Sequence, residues 1–149
     1  MAQQIEIPMP WGFVRGQVFG RLDDQSNQTA ILCLHGYLDN SNSFKPLAKC
    51  LTTESKDYYV VAIDLPGQGL SSKLGDPLLF NFKTFVLSVR KVVVYLKLKN
   101  FIFLNHSFGC TLSLMVIIFY FGLALKRYCT RQLSDHILDF TIASSFEPN

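Results

Sequence analysis

Three short apolar runs limit what this chain can fold into. They are Ala30-Ile31-Leu32-Cys33-Leu34, Tyr58-Tyr59-Val60-Val61-Ala62-Ile63 and Phe101-Ile102-Phe103-Leu104, and none contains a charged residue. A strand with one solvated face alternates apolar and polar residues, whereas a run apolar at every position belongs in a sheet covered on both faces. Each run stops at residues that cannot extend a strand: His35-Gly36, then Asp64-Leu65-Pro66-Gly67-Gln68-Gly69, then Asn105-His106-Ser107-Phe108-Gly109. Helical signals lie between them. Asn40 to Ser43 offers N-caps for a helix over 44–51, in which Pro46 is tolerable because it falls in the first turn. Phe82, Phe85, Val86, Val89, Val92, Val93 and Leu96 recur at helical spacing, with Lys83, Arg90, Lys91 and Lys97 mostly on the other side. Strand and helix in alternation give βαβ units and a parallel sheet, hence an α/β fold.

Ahead of the first run, residues 5–19 read as two short strands split by Pro8, Pro10 and Gly12, and the polar stretch Asp23 to Gln28 reads as a turn. The chain has 149 residues, enough for one domain, and 49% hydrophobic against 17% charged residues allows a packed core. A net charge of +3, with scattered lysines and arginines, gives no basic face for nucleic acid. The four cysteines form no C-x-x-C pair, which argues against a zinc site or disulfide framework and fits a reducing, cytoplasmic setting. The N-terminus lacks the basic start and apolar run of a signal peptide.

The turn at 105–109 carries the clearest chemical signal. A serine between a buried strand and an apolar helix, with a small residue two places on, matches the nucleophile elbow. Such a turn lifts the hydroxyl out of the sheet, and the next N–H, that of Phe108, lies at a helix N-terminus. Gly109 fits the pattern. Asn105 does not, since the elbow normally has glycine there and an amide is expected to crowd the turn. Alone, Ser-x-Gly is as readily a serine capping a buried helix, and His35 alone is as readily a loop histidine at a strand end.

Taken together and in order, the three strand ends resemble the α/β-hydrolase fold family. The segments Leu32 to Asn40, Tyr58 to Asp64 and Gly69-Leu70-Ser71-Ser72 look most like the group of serine hydrolase-like proteins, whose elbow reads Gly-His-Ser-Phe-Gly-Gly where this chain has Asn-His-Ser-Phe-Gly-Cys. The resemblance runs over about residues 8–116. It implies a serine hydrolase acting on a small-molecule ester or related acyl substrate, with Ser107 as nucleophile and the Tyr37 and Phe108 amides as oxyanion donors. His35, Gly36, Asp64, Gly67, Gly69, His106 and Gly109 would be motif or structural residues. No metal or organic cofactor is implied.

A serine nucleophile needs a base and an acid, which follow it in this fold in the order acid, then histidine. Only 42 residues follow Ser107, and they offer Asp135, His136, Asp139 and Glu147. The expectation is therefore an N-terminal half of the domain over 1–125, truncated after the elbow helix, and a divergent tail over 126–149 with no strand at 126–132. An inactive fragment lacking acid and base is one alternative. Another is a membrane-anchored or interaction protein: residues 101–125 carry no charge and are long enough to be weighed as a membrane span. In the hydrolase reading, the strand at 101–104 becomes a sheet edge open to self-association.

Overall fold

A computed structural model describes residues 2–20, 28–99, 101–120, 128–131 and 140–143. Strands β1 (Gln3–Met9) and β2 (Gly12–Phe19) form an antiparallel hairpin. They are followed by β3 (Thr29–Leu34), α1 (Lys45–Glu54), β4 (Tyr58–Ile63), α2 (Phe82–Tyr95), β5 (Phe101–Asn105) and α3 (Phe108–Tyr120). Five strands make one sheet in the order β1-β2-β4-β3-β5. The three strands from the apolar runs are mutually parallel, with β3 between β4 and β5.

Alternate residues of these strands feed two cores. Ala30, Leu32, Leu34, Val61, Ile63, Phe101 and Phe103 pack with α2, α3 and the hairpin. Ile31, Cys33, Val60, Ala62 and Leu104 pack with Phe44 and Ala48 at α1. Helices therefore cover both faces of the sheet, as uninterrupted apolar runs require. Burial pushes the Cys33 thiol far above its ordinary range, leaving it a small apolar core residue.

The helix starts follow their local chemistry. Asn40 accepts the Asn42 N–H and opens a single 3-10 turn over 41–44, which runs into α1 with Pro46 in its first turn. Asn81 caps α2 by accepting the Thr84 N–H at 3.0 Å.

Two expectations and one alternative need correction. Pro8 does not end a strand but lies within β1, paired with Phe13; β1 is the outer strand, so the missing N–H costs no ladder bond on its free side. Residues 101–120 do not form one span: the chain breaks at His106-Ser107 into a strand and a 13-residue helix. No helix among the described residues is long and apolar enough to cross a membrane, and residues 121–125 lie outside the described residues. Finally, Tyr128–Arg131 is a strand, β6, antiparallel to β7 (Phe140–Ala143). Tyr, Thr, Phe and Ile favour the pleated surface, and the pairing bridges a sequence gap that local reading passes over. β5 is the last strand of the five-stranded ladder, and β7 lies beside it.

Candidate active site

The loops that follow β3, β4 and β5 leave the sheet at one edge, because Leu34 is in register with both Ile63 and Asn105. That edge is formed by the carboxyl ends of parallel strands, where open α/β sheets place their sites.

At the end of β5 the chain turns within two residues. His106 N–H donates to the Leu34 carbonyl at 3.0 Å, so the turn stays locked to β3. Ser107 has φ +50°, a left-handed conformation that costs a non-glycine residue about 1–3 kcal/mol. Its side chain is exposed while its neighbours are buried or half-buried. α3 starts immediately, with Gly109 N–H bonded to the His106 carbonyl and Cys110 N–H to the Ser107 carbonyl, both at 2.9 Å. Gly109 is obligatory: a Cβ there would lie 2.2 Å from the Leu34 carbonyl oxygen. The helix can follow so sharp a turn only by touching the backbone of β3.

Asn105 does not crowd this turn. It is fully buried beneath α3, where its Nδ2 donates to the Ser113 hydroxyl at 2.8 Å, and that hydroxyl donates to the Cys110 carbonyl at 2.9 Å. Its Oδ1 has no hydrogen-bond partner among the described residues. Ser113 was the signal available in the sequence: a hydroxyl eight residues on, facing the amide from the second turn of the helix.

The loop after β3 comes against the elbow at Gly36. A Cβ on Gly36 would lie 2.9 Å from His106 Nδ1 and 3.5 Å from the Ser107 Cβ. Tyr37 follows and is exposed. Among the described residues, neither the Tyr37 nor the Phe108 N–H donates to a hydrogen-bond acceptor. His35 is fully buried. Its Nε2 accepts the Leu65 N–H at 2.9 Å, so Nδ1 carries the proton and donates to the Gly36 carbonyl at 2.7 Å. Burial holds the imidazole below its ordinary value, with the Gly36 bond and the Asp64 charge opposing. Both ring nitrogens are thus committed to backbone.

The loop after β4 supports the other two. Asp64 is buried, and its carboxylate accepts the Ser41 N–H at 2.6 Å and the Leu70 N–H at 2.8 Å. Gly67 and Gly69 have φ +74° and +53°, and a Cβ on Gly69 would lie 2.4 Å from the Asp64 carboxylate. Gln68, between the two glycines, accepts the Leu38 N–H at 2.8 Å. It thereby ties this loop to the one after β3. Neither that tie nor the ring cluster around Phe108 is legible along the chain, because both depend on contacts across distant segments.

The structure therefore brings together His35, Gly36, Tyr37, Asp64, Gly67, Gly69, His106, Ser107, Phe108 and Gly109 at one end of the sheet. Asp135, His136, Asp139 and Glu147 lie outside the described residues. Among the described residues, no three His, Cys, Asp or Glu side chains gather as a metal site.

Comparison with known proteins agrees with this layout. The alpha/beta hydrolase fold family matches residues 29–131, a stretch that includes all three loops. The chain belongs to the α/β-hydrolase fold family. It is 43% identical over 108 residues to a serine hydrolase-like protein of Danio rerio, covering 72% of this chain and 31% of that protein. It is 38% identical over 109 residues to a serine hydrolase-like protein of Homo sapiens, covering 73% of this chain and 50% of the relative. The chain thus spans between about a third and a half of the length of these relatives. Among solved structures, a thioesterase domain from the curacin biosynthetic pathway superposes with a TM-score of 0.71 at 23% identity, covering 78% of this chain and 41% of that one. At that identity, the likeness speaks for the fold alone.

Proposed function

We propose that the chain carries the nucleophile half of a serine hydrolase site for a small ester or related acyl compound. The observation that carries this reading is Ser107, exposed at φ +50° on the turn between β5 and α3 and set against Gly36. A serine held in that strained conformation at a parallel-sheet carboxyl edge has no packing role to explain it. Its Oγ would attack the acyl carbonyl and pass its proton to a base. The carbonyl oxygen becomes an oxyanion, held by the Tyr37 and Phe108 N–H groups, neither of which has an acceptor among the described residues. Collapse expels the alcohol and leaves an acyl-serine, which water then hydrolyses.

A second reading, an inactive site, is favoured by the histidines. Among the described residues the only ones are His35 and His106. His35 has both nitrogens engaged, and the His106 ring lies against Gly36. The base must therefore come from His136 or from outside this chain. Intact-mass analysis after a fluorophosphonate probe separates the readings. One adduct on the wild type, absent in Ser107→Ala, is expected of a nucleophile. No adduct on folded protein favours the inactive site. An adduct that persists in Ser107→Ala assigns the reactivity to another residue.

A further inference from the structure

Five aromatic rings gather beside the elbow. Tyr37 comes from the loop after β3, Phe80, Phe82 and Phe85 from the start of α2 and the turn before it, and Phe108 from the first residue of α3. The pairs Tyr37–Phe80, Tyr37–Phe108, Phe80–Phe85, Phe82–Phe108 and Phe85–Phe108 have centroid separations of 6.4, 5.9, 5.3, 6.1 and 5.4 Å. All are edge-to-face, the arrangement that sets the positive edge of one ring on the negative face of the next.

The cluster is anchored below and open above. Phe85 is buried, whereas Tyr37, Phe80 and Phe82 are 55%, 42% and 42% exposed. Phe80 sits over Gly67, where even a Cβ would come within 3.3 Å of its ring. Folding alone gives little reason to leave three large rings exposed side by side. No cation joins them among the described residues; the two cation–π pairs, Arg15 with Phe13 and Arg90 with Tyr120, lie elsewhere.

Position gives the cluster a use. Tyr37 and Phe108 bear both two of the rings and the two N–H groups that have no acceptor among the described residues; Phe108 is next to Ser107 in the chain, and Tyr37 follows Gly36, which packs against the Ser107 Cβ. We propose that these rings form a binding wall for an uncharged aryl group of the substrate, making aryl-bearing esters the class this site prefers. Exposed ring edges and faces would bind another ring by the same quadrupole match that holds the cluster together, and would bind a saturated group of equal size less well. This inference rests on the reading of Ser107 as the reacting residue.

The test separates the two. In the full chain carrying Ser107→Ala, which cannot react, binding of methyl phenylacetate and methyl cyclohexylacetate is titrated by NMR. The phenyl ester is expected to bind about two- to tenfold more tightly, the range a ring–ring contact supplies. Adding Phe80→Leu and Phe82→Leu, at exposed positions that stay apolar, is expected to remove that preference while folding is retained. Equal affinities, no binding of either ester, or a preference unchanged by the leucine substitutions would overturn the wall. The fluorophosphonate adduct on wild-type protein reports on Ser107 independently. A preference without an adduct keeps the wall and removes the nucleophile, and an adduct without a preference does the reverse.

Discussion

The loops after β4 and β5 leave the same edge of the same sheet, yet they handle backbone strain in opposite ways. After β4, the left-handed conformations fall on Gly67 and Gly69, which have no Cβ to object. Its acidic and hydroxyl groups are tied down: Asp64 accepts two N–H groups, the Ser71 hydroxyl donates to the Asp64 carbonyl at 2.6 Å and accepts the Arg15 N–H at 2.9 Å, and Ser72 Oγ accepts the Phe13 N–H at 3.0 Å. After β5, the left-handed conformation falls on a serine, and that serine is exposed. The first loop spreads no strain and holds the site's frame together. The second concentrates strain on one residue, which persists because Gly109 on Leu34 and Gly36 on His106 leave the chain no other path.

The sharpest way to break this contrast is at Gly109. Gly109→Val would drive a branched side chain into the backbone carbonyl of Leu34, which is held in the sheet and cannot yield. We expect a loss above about 4 kcal/mol, seen as the absence of a cooperative thermal transition by circular dichroism. A folded Gly109→Val protein would mean that the elbow is not held by close approach.

Asp64→Ala is next. It removes two hydrogen bonds to a charged acceptor and strands the N–H groups of Ser41 and Leu70, a loss of roughly 3–5 kcal/mol. The urea midpoint should fall accordingly, and Asp64→Asn should recover part of it. An unchanged midpoint would remove Asp64 from its place at the centre of the frame.

His35 gives a pH dependence with a definite sign. Its folded value is lowered by burial, so the unfolded chain binds the proton more readily. The stability it contributes is present above the ordinary imidazole value of 6.5 and is lost as pH falls through it toward the lowered folded value. Thermal midpoints should therefore drop as pH falls below 6.5, and the His35-dependent part of that drop should vanish in His35→Gln. A drop of equal size in the variant would assign it to other groups.

The smallest effect bears most directly on the strain. Ser107→Gly relieves a left-handed non-glycine residue, about 1–3 kcal/mol, but adds backbone entropy to the unfolded chain, about 0.5–1 kcal/mol. We expect net stabilisation of roughly 1 kcal/mol with complete loss of phosphonate labelling. Gly67→Ala should destabilise by a similar amount, because it places strain where the frame now has none. Destabilisation by Ser107→Gly would show that the serine side chain carries a structural bond after all.

The three parallel strands, the two helices between them and the place of Ser107 after the third strand were legible along the chain. Those features follow from local rules: uninterrupted apolar runs demand cover on both faces, caps and heptad-like spacing start and shape helices, and glycine permits left-handed turns. The remaining features came from packing between distant segments. Pro8 could stay in β1 because that strand ended up at the sheet edge. Asn105 could replace a glycine because Ser113 arrives beneath α3 to receive its amide. Gln68 found the Leu38 N–H thirty residues away, and five rings from three segments gathered beside the elbow. Each of these depends on which distant groups share one space, and no periodicity along a single segment carries that information.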